Sequence, residues 1–197
     1  MKLLKLITLG SVLATTGVLS TNYYLEDAAF AGGRERYNSS SKCITRKEII
    51  KAQNTWGKAI VAIGEASQKG EDAAEELAKK TIDDLYGYDK SEVLFKPTLA
   101  SKQQFRLNKK DALSYFVTGD IKEDKGFALQ PWSNVRFENA ALSLNCQTAL
   151  AMGNYYFTDA KTGKETKVEY SFGYIRNKDG KLLIILHDSS LPYNPEQ

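Results

Sequence analysis

His187, Asp188, Ser189 and Ser190 follow one another directly after an apolar run, residues 182–186, so an imidazole, a carboxylate and two hydroxyls arrive at one place. Together these groups can exchange a proton and hold a developing oxyanion, because imidazole titrates near neutrality while hydroxyls donate hydrogen bonds without becoming charged. His187 is the only histidine, and proton exchange near pH 7 by an unperturbed side chain would fall to it. Pro192 has no backbone N–H and stops further sheet pairing. A strand ending here carries polar chemistry out of a core. If that strand is regular, His187 and Ser189 share a face with Leu183 and Ile185, and Asp188 and Ser190 share the other. Only one pair then lines a pocket directly, unless a bulge before Pro192 blurs the alternation.

The elements that position this motif follow from periodicity. Thr45 and Glu48 have capping-box spacing, and Ile49, Ala52, Trp56, Ile60 and Ile63 recur at helical intervals, which predicts a helix over 46–67. Ala74, Leu77, Ala78, Ile82 and Leu85 predict a second helix ending at Gly87. Residues 93–98 read as a strand interrupted by Pro97, 104–107 as a short partner strand, and Asn108 with Asp111 opens a third helix to Val117. After a charged loop at 119–126, strands are expected over 127–137, 141–149, 150–158, 167–176 and 181–189. Helices followed by a run of antiparallel strands imply an α+β domain with the helices on one face of a sheet. Ala149, Ala151 and Gly153 alternate on one strand and Tyr170, Phe172 and Tyr174 on another, so a pocket with one open and one aromatic wall is expected.

The chain starts with Lys2 and Lys5, an apolar stretch at 6–19, and Ala29 and Ala31 at the positions a signal peptidase reads. Residues 1–31 are expected to be a secretory signal, 32–42 a flexible linker and 43–197 one domain. The product would be exported, to a periplasm or an organelle lumen, and would keep no membrane segment after cleavage. Net charge is +3 and no basic run exceeds two residues, so nucleic acid is not an expected partner. Cys43 and Cys146 are the only cysteines; whether they pair or stay separate thiols is open from sequence.

Six segments resemble the iota-class carbonic anhydrases: VLFKPT (93–98), DALSYFVTGD (111–120), PWSNVRFENA (131–140), AMGNYYFTD (151–159), VEYSFGY (168–174) and LHDSSLP (186–192). That family is built on the association domain of calcium/calmodulin-dependent protein kinase II, within the nuclear transport factor 2-like superfamily. The resemblance implies a cone, with N-terminal helices packed on a strongly curved, mainly antiparallel sheet, a homodimer, and interconversion of carbon dioxide and bicarbonate. It places hydroxyls around the pocket, which by matching segments are Thr98, Tyr115, Ser189 and Ser190, with His187 as the proton-exchanging group. Trp56, Tyr155 and Tyr156 are expected as pocket walls and Asp188 as a further substrate contact.

In the family's terminal motif a second histidine usually stands where this chain has Asp188. Zinc therefore finds only Cys43, Cys146 and His187 as conventional ligands, and it is not expected. Manganese on a carboxylate site including Asp188 is compatible with the residue types, but no D-x-D or H-E-x-x-H spacing signals it. The expected chemistry is metal-free: a concerted attack in which a base takes the proton of water while fixed hydroxyls bind the developing bicarbonate. The alternatives are a non-catalytic small-ligand-binding or oligomerisation module, or a ketosteroid-isomerase-like or dehydratase enzyme using a buried Asp188 as base.

Overall fold

The computed structural model describes residues 43–195. The expected leader (1–31) and linker (32–42) lie outside the described residues. Helix α1 runs Arg46–Ser67 and is started by the expected capping box: the Thr45 hydroxyl accepts from the Glu48 N–H, and the Glu48 carboxylate accepts from the Thr45 N–H at 2.9 Å. Its buried stripe, Ile49, Gln53, Trp56, Ile60 and Ile63, faces the sheet. Helix α2, Glu71–Leu85, stops two residues before Gly87 and passes into extended backbone at Tyr86. Strand β1, Leu94–Lys96, precedes helix α3, Lys109–Val117, where Asn108 caps by accepting from the Asp111 N–H at 2.9 Å. A single 3₁₀ turn, Phe127–Leu129, then leads into β2 (Trp132–Leu144), β3 (Thr148–Asp159), β4 (Glu165–Arg176) and β5 (Leu182–Ser190). The five strands form one sheet in the order β1-β5-β4-β3-β2, antiparallel except for β1 against β5.

Several expected boundaries are corrected. Residues 104–107 form no strand, and only the Arg106 N–H reaches the Phe95 carbonyl, at 2.8 Å. The strands expected over 127–137 and 141–149 are one long β2 that starts later and hands over to β3 at Asn145, whose side-chain oxygen accepts the Gln147 and Thr148 N–H groups. The wall expected to be open is filled. Register pairs Ala149 with Tyr174, Ala151 with Phe172 and Gly153 with Tyr170, so each small residue leaves room for the aromatic beside it. Gly153 is also demanded by the bulge in β2 between Asn139 and Ala141, since a Cβ there would lie 2.1 Å from the Glu138 carbonyl oxygen.

The alternation of β5 is interrupted, but before the polar motif and not after it. Gly173 pairs with Leu186 while Tyr174 pairs with Ile184, which leaves Ile185 as the bulged residue. Ile184, not Ile185, therefore shares the helix-covered face with His187 and Ser189, and Asp188 and Ser190 point to the outer face. Cys43 and Cys146 form a disulfide that ties the start of α1 to the β2–β3 turn, beside a backbone bond from Ile44 N–H to the Asn145 carbonyl. Among the described residues no helix is long and apolar enough to cross a membrane.

Candidate active site

Where β1 ends, parallel pairing with β5 sets Phe95 beside His187 and Lys96 beside Asp188, and the chain continues through Pro97 to Thr98. The Thr98 hydroxyl donates to the Ser189 hydroxyl at 2.9 Å. On α3, Tyr115 reaches the same point, its hydroxyl meeting the Leu99 backbone and the Thr98 side chain. On β3, Tyr155 reaches it from the other side, its hydroxyl meeting Ser189 and Thr98. Four hydroxyls, three from α3, β3 and β5 and one from the chain after β1, thus form one row in which Tyr115 meets Thr98, and Thr98, Ser189 and Tyr155 meet one another. Burial pushes both phenols above their ordinary pKa, and the hydroxyl contacts offset this only in part. The row stays neutral.

Thr98 and Tyr115 stand in the wall of a cavity of about 420 Å³ whose other sides include Phe127, Trp132, Phe157 and Leu191. Apolar walls accept an uncharged, non-polar molecule, and the hydroxyls offer donors to an oxygen that gains negative charge. The rim carries Glu123 and Asp124, both already engaged. Glu123 accepts from the Ser101 hydroxyl at 2.8 Å and from the Ser101, Lys102 and Gln103 N–H groups, which hold its carboxyl down at about 2. Asp124 accepts from the Arg106 guanidinium at 2.7 Å and from the Ser114 hydroxyl at 2.7 Å. Arg106 is fully buried, and sequence reading misses this pair because its members are 18 residues apart in irregular chain. The only available signal is the density of charge around α3.

His187 departs from its expected role. It is 2% exposed, does not line the cavity, and packs with ring centroids 4.5 Å from Phe95 and 4.2 Å from Phe172. The Tyr86 hydroxyl accepts from the Trp56 indole N–H at 2.9 Å and shares a second hydrogen bond with His187 Nδ1, also at 2.9 Å. The other ring nitrogen, Nε2, has no hydrogen-bond partner among the described residues. Burial lowers the imidazole pKa to about 3, so proton exchange near neutrality is lost to desolvation.

That shift has a consequence for stability. The folded-state pKa lies below the ordinary 6.5, so the unfolded chain binds the extra proton first, and stability is complete above about pH 6.5 and declines as pH falls toward about 3. The unfolding free energy from urea titrations should drop between about pH 7 and about pH 4, by on the order of a few kcal/mol in total, and His187→Phe should flatten that drop. Equal pH slopes in both proteins would contradict a neutral buried imidazole.

The remaining expected residues divide by face. Trp56 and Tyr155 are core, stacked 5.9 Å apart, and neither walls the cavity itself. Tyr156, one position on from Tyr155, turns to the outer face under the Arg136 guanidinium at 4.0 Å. Asp188 and Ser190 border a different, outer hollow of about 320 Å³ with Glu169, so strand alternation separates them from Thr98 and Tyr115. Asp188 lies 3.4 Å from Lys96 with 47% of its side chain exposed, which is unlike the buried base an isomerase needs. The two cysteines are bonded to each other and leave zinc no thiolate, and no group of three or more His, Cys, Asp or Glu converges among the described residues.

Residues 47–191 match the family model of metal-independent carbonic anhydrase. A metal-independent carbonic anhydrase of Nostoc sp. (strain PCC 7120) is 48% identical over 157 residues, which cover 78% of this chain and 76% of that protein. The crystal structure of an iota-carbonic anhydrase from a cyanobacterium, complexed with bicarbonate, superposes with a TM-score of 0.74 at 47% identity, covering 77% of this chain and 94% of that one.

Proposed function

This chain belongs to the metal-independent carbonic anhydrase family, and from that premise we propose that it interconverts carbon dioxide and bicarbonate in the cavity bordered by Thr98 and Tyr115. Activity and freedom from a metal cofactor come with the family; the place of the reaction is our reading. The observation that carries it is the pair of hydroxyls, Thr98 and Tyr115, set in the cavity wall beside Phe127, Trp132, Phe157 and Leu191 and backed by Ser189 and Tyr155. The relative crystallised with bicarbonate supports the ligand class.

The geometry narrows how the reaction runs. Complete transfer of a proton from water, pKa about 15.7, to an ordinary imidazole costs about 12 kcal/mol, and to a base with a pKa of about 3 it costs about 17 kcal/mol. His187 is therefore assigned to holding Phe95, Phe172 and Tyr86 in place and not to accepting the proton of water. Attack must be concerted with charge stabilisation, and the Thr98 and Tyr115 hydroxyls are the donors placed for it. Protein stripped with a chelator and assayed for bound metal should hydrate carbon dioxide at the untreated rate. A loss restored by one added metal would overturn this reading.

Export and pairing belong to the same proposal. Residues 1–31 support export, and so does the disulfide, because such bonds persist in oxidising compartments. Intact mass of the protein recovered outside the cytosol should start at Gly32 and lack two cysteine hydrogens; an unprocessed, reduced chain would count against it. A homodimer is supported by Leu150 and Met152, 53% and 54% exposed on the outer sheet face. Sedimentation equilibrium should give twice the chain mass, and Met152→Glu should halve it.

A further inference from the structure

A base close to the attacking water is the usual means of drawing off its proton, and each titratable group around this cavity is otherwise committed. From the loop before β2, Glu123 is bound by three backbone amides and a hydroxyl, and Asp124 by Arg106 and Ser114. From β1, Lys96 turns away to donate to the Ser189 carbonyl at 2.8 Å and to approach Asp188 on the outer face. From β5, His187 is enclosed by aromatic rings with Nδ1 already hydrogen-bonded to the Tyr86 hydroxyl. From β4 the wall is Thr166 and Val168, which do not titrate. What remains are hydroxyls: Tyr115 and Thr98 in the wall and in mutual contact, with Ser189 and Tyr155 behind them.

We propose that the cavity hydrates carbon dioxide through a neutral proton relay, in which the Thr98 and Tyr115 hydroxyls pass the proton of the attacking water to an oxygen of the same carbon dioxide, so that carbonic acid is the first product. This rests on the carbonic anhydrase reading and deepens it. The step balances without a co-reactant. A bond forms between the water oxygen and carbon as one C–O π bond breaks. The water proton moves to one hydroxyl oxygen while that hydroxyl's proton moves to its neighbour, and the neighbour's proton ends on the substrate oxygen. Both side chains finish with one proton each. Carbonic acid then leaves and ionises in bulk water, where the proton is solvated at once. For this step the Thr98 hydroxyl turns its proton from Ser189, to which it donates at 2.9 Å, into the relay, and Ser189 and Tyr155 act as positioning residues beside it.

A relay that never charges a side chain suits an environment that penalises charge. Upward-shifted phenols at Tyr115 and Tyr155 resist becoming phenolates, which would be a defect in a base and is none in a relay. It also removes the need for a separate proton exit, since the proton departs with the product.

Stopped-flow hydration by the full protein tests this. The expected result is kcat/KM independent of pH between about pH 6 and about pH 9, and kcat unchanged over a roughly tenfold range of buffer concentration. In mixtures of light and heavy water kcat should bow downward, as two or more protons in flight require. Tyr115→Phe, which keeps the ring and loses the relay hydroxyl, should lower kcat by roughly 10²-fold with its melting temperature little changed. A sigmoid profile within that range, or kcat rising with buffer, would overturn the relay in favour of a titrating base. Wild-type kcat in Tyr115→Phe would overturn it too. An enzyme silent at every pH would instead remove the carbonic anhydrase reading beneath it, a result distinct from activity that titrates.

Discussion

Thr98→Val will lower carbon dioxide hydration by roughly 10²- to 10³-fold, the usual cost of removing one fixed donor from a developing oxyanion. Valine keeps the branched shape that follows Pro97 and deletes the hydroxyl that lines the cavity and donates to Ser189 at 2.9 Å. The loss has two parts. One is the donor itself; the other is Ser189, which loses the Thr98 hydroxyl and keeps only that of Tyr155. An unsatisfied buried hydroxyl costs about 1–3 kcal/mol of stability, so kcat/KM and the denaturation midpoint must be measured together. Thr98→Ser should recover most of the activity, because the hydroxyl returns and only a methyl is missing. Ser190→Ala should retain nearly wild-type rates, because Ser190 points to the outer face, with Glu169 at 3.5 Å. If Thr98→Val and wild type hydrate equally fast, or if Ser190→Ala is the damaging change, the reaction is not in this cavity.

The contrast between Ser189 and Ser190 shows where sequence reading succeeds and where it stops. Period-two alternation by itself separates His187 with Ser189 from Asp188 with Ser190. Which pair faces inward depends on where α1 packs, and that is decided by residues more than a hundred positions away. The bulge at Ile185 changes the inward partner from Ile185 to Ile184, and nothing in the run from Leu182 to Leu186 marks it. A one-residue ambiguity likewise separates Tyr155, in the hydroxyl row, from Tyr156, beneath Arg136. Local signals are reliable: the Thr45 and Glu48 capping box and the Asn108 cap start their helices where expected. The role of His187 escapes the sequence for a different reason. A reference pKa describes a solvated ring, and the sequence does not display the aromatic enclosure that removes the solvent.

The cavity also depends on a pair that no local pattern announces. Asp124→Ala will destabilise the fold by about 3–5 kcal/mol, the range for stripping one partner from a buried ion pair. Arg106 is 0% exposed, and besides Asp124 it holds the Gln103 carbonyl, so one guanidinium joins the chain after β1 to the loop before β2. Those two segments carry Thr98, Leu99, Glu123 and Gly126, all in the cavity wall. Removing the carboxylate strands a buried cation and leaves the Ser114 hydroxyl without its acceptor at 2.7 Å. For a domain of this size the melting temperature should fall by about 10 °C. Pairing Arg106→Met with Asp124→Leu removes both charges and should recover much of the stability, since apolar replacements of buried ion pairs are often neutral or better. Activity should not recover with it. Methionine cannot hold the Gln103 carbonyl, so the loops regain packing without regaining the register that sets Thr98 against Tyr115. A double variant with both stability and wild-type kcat/KM would show that the ion pair serves the fold alone.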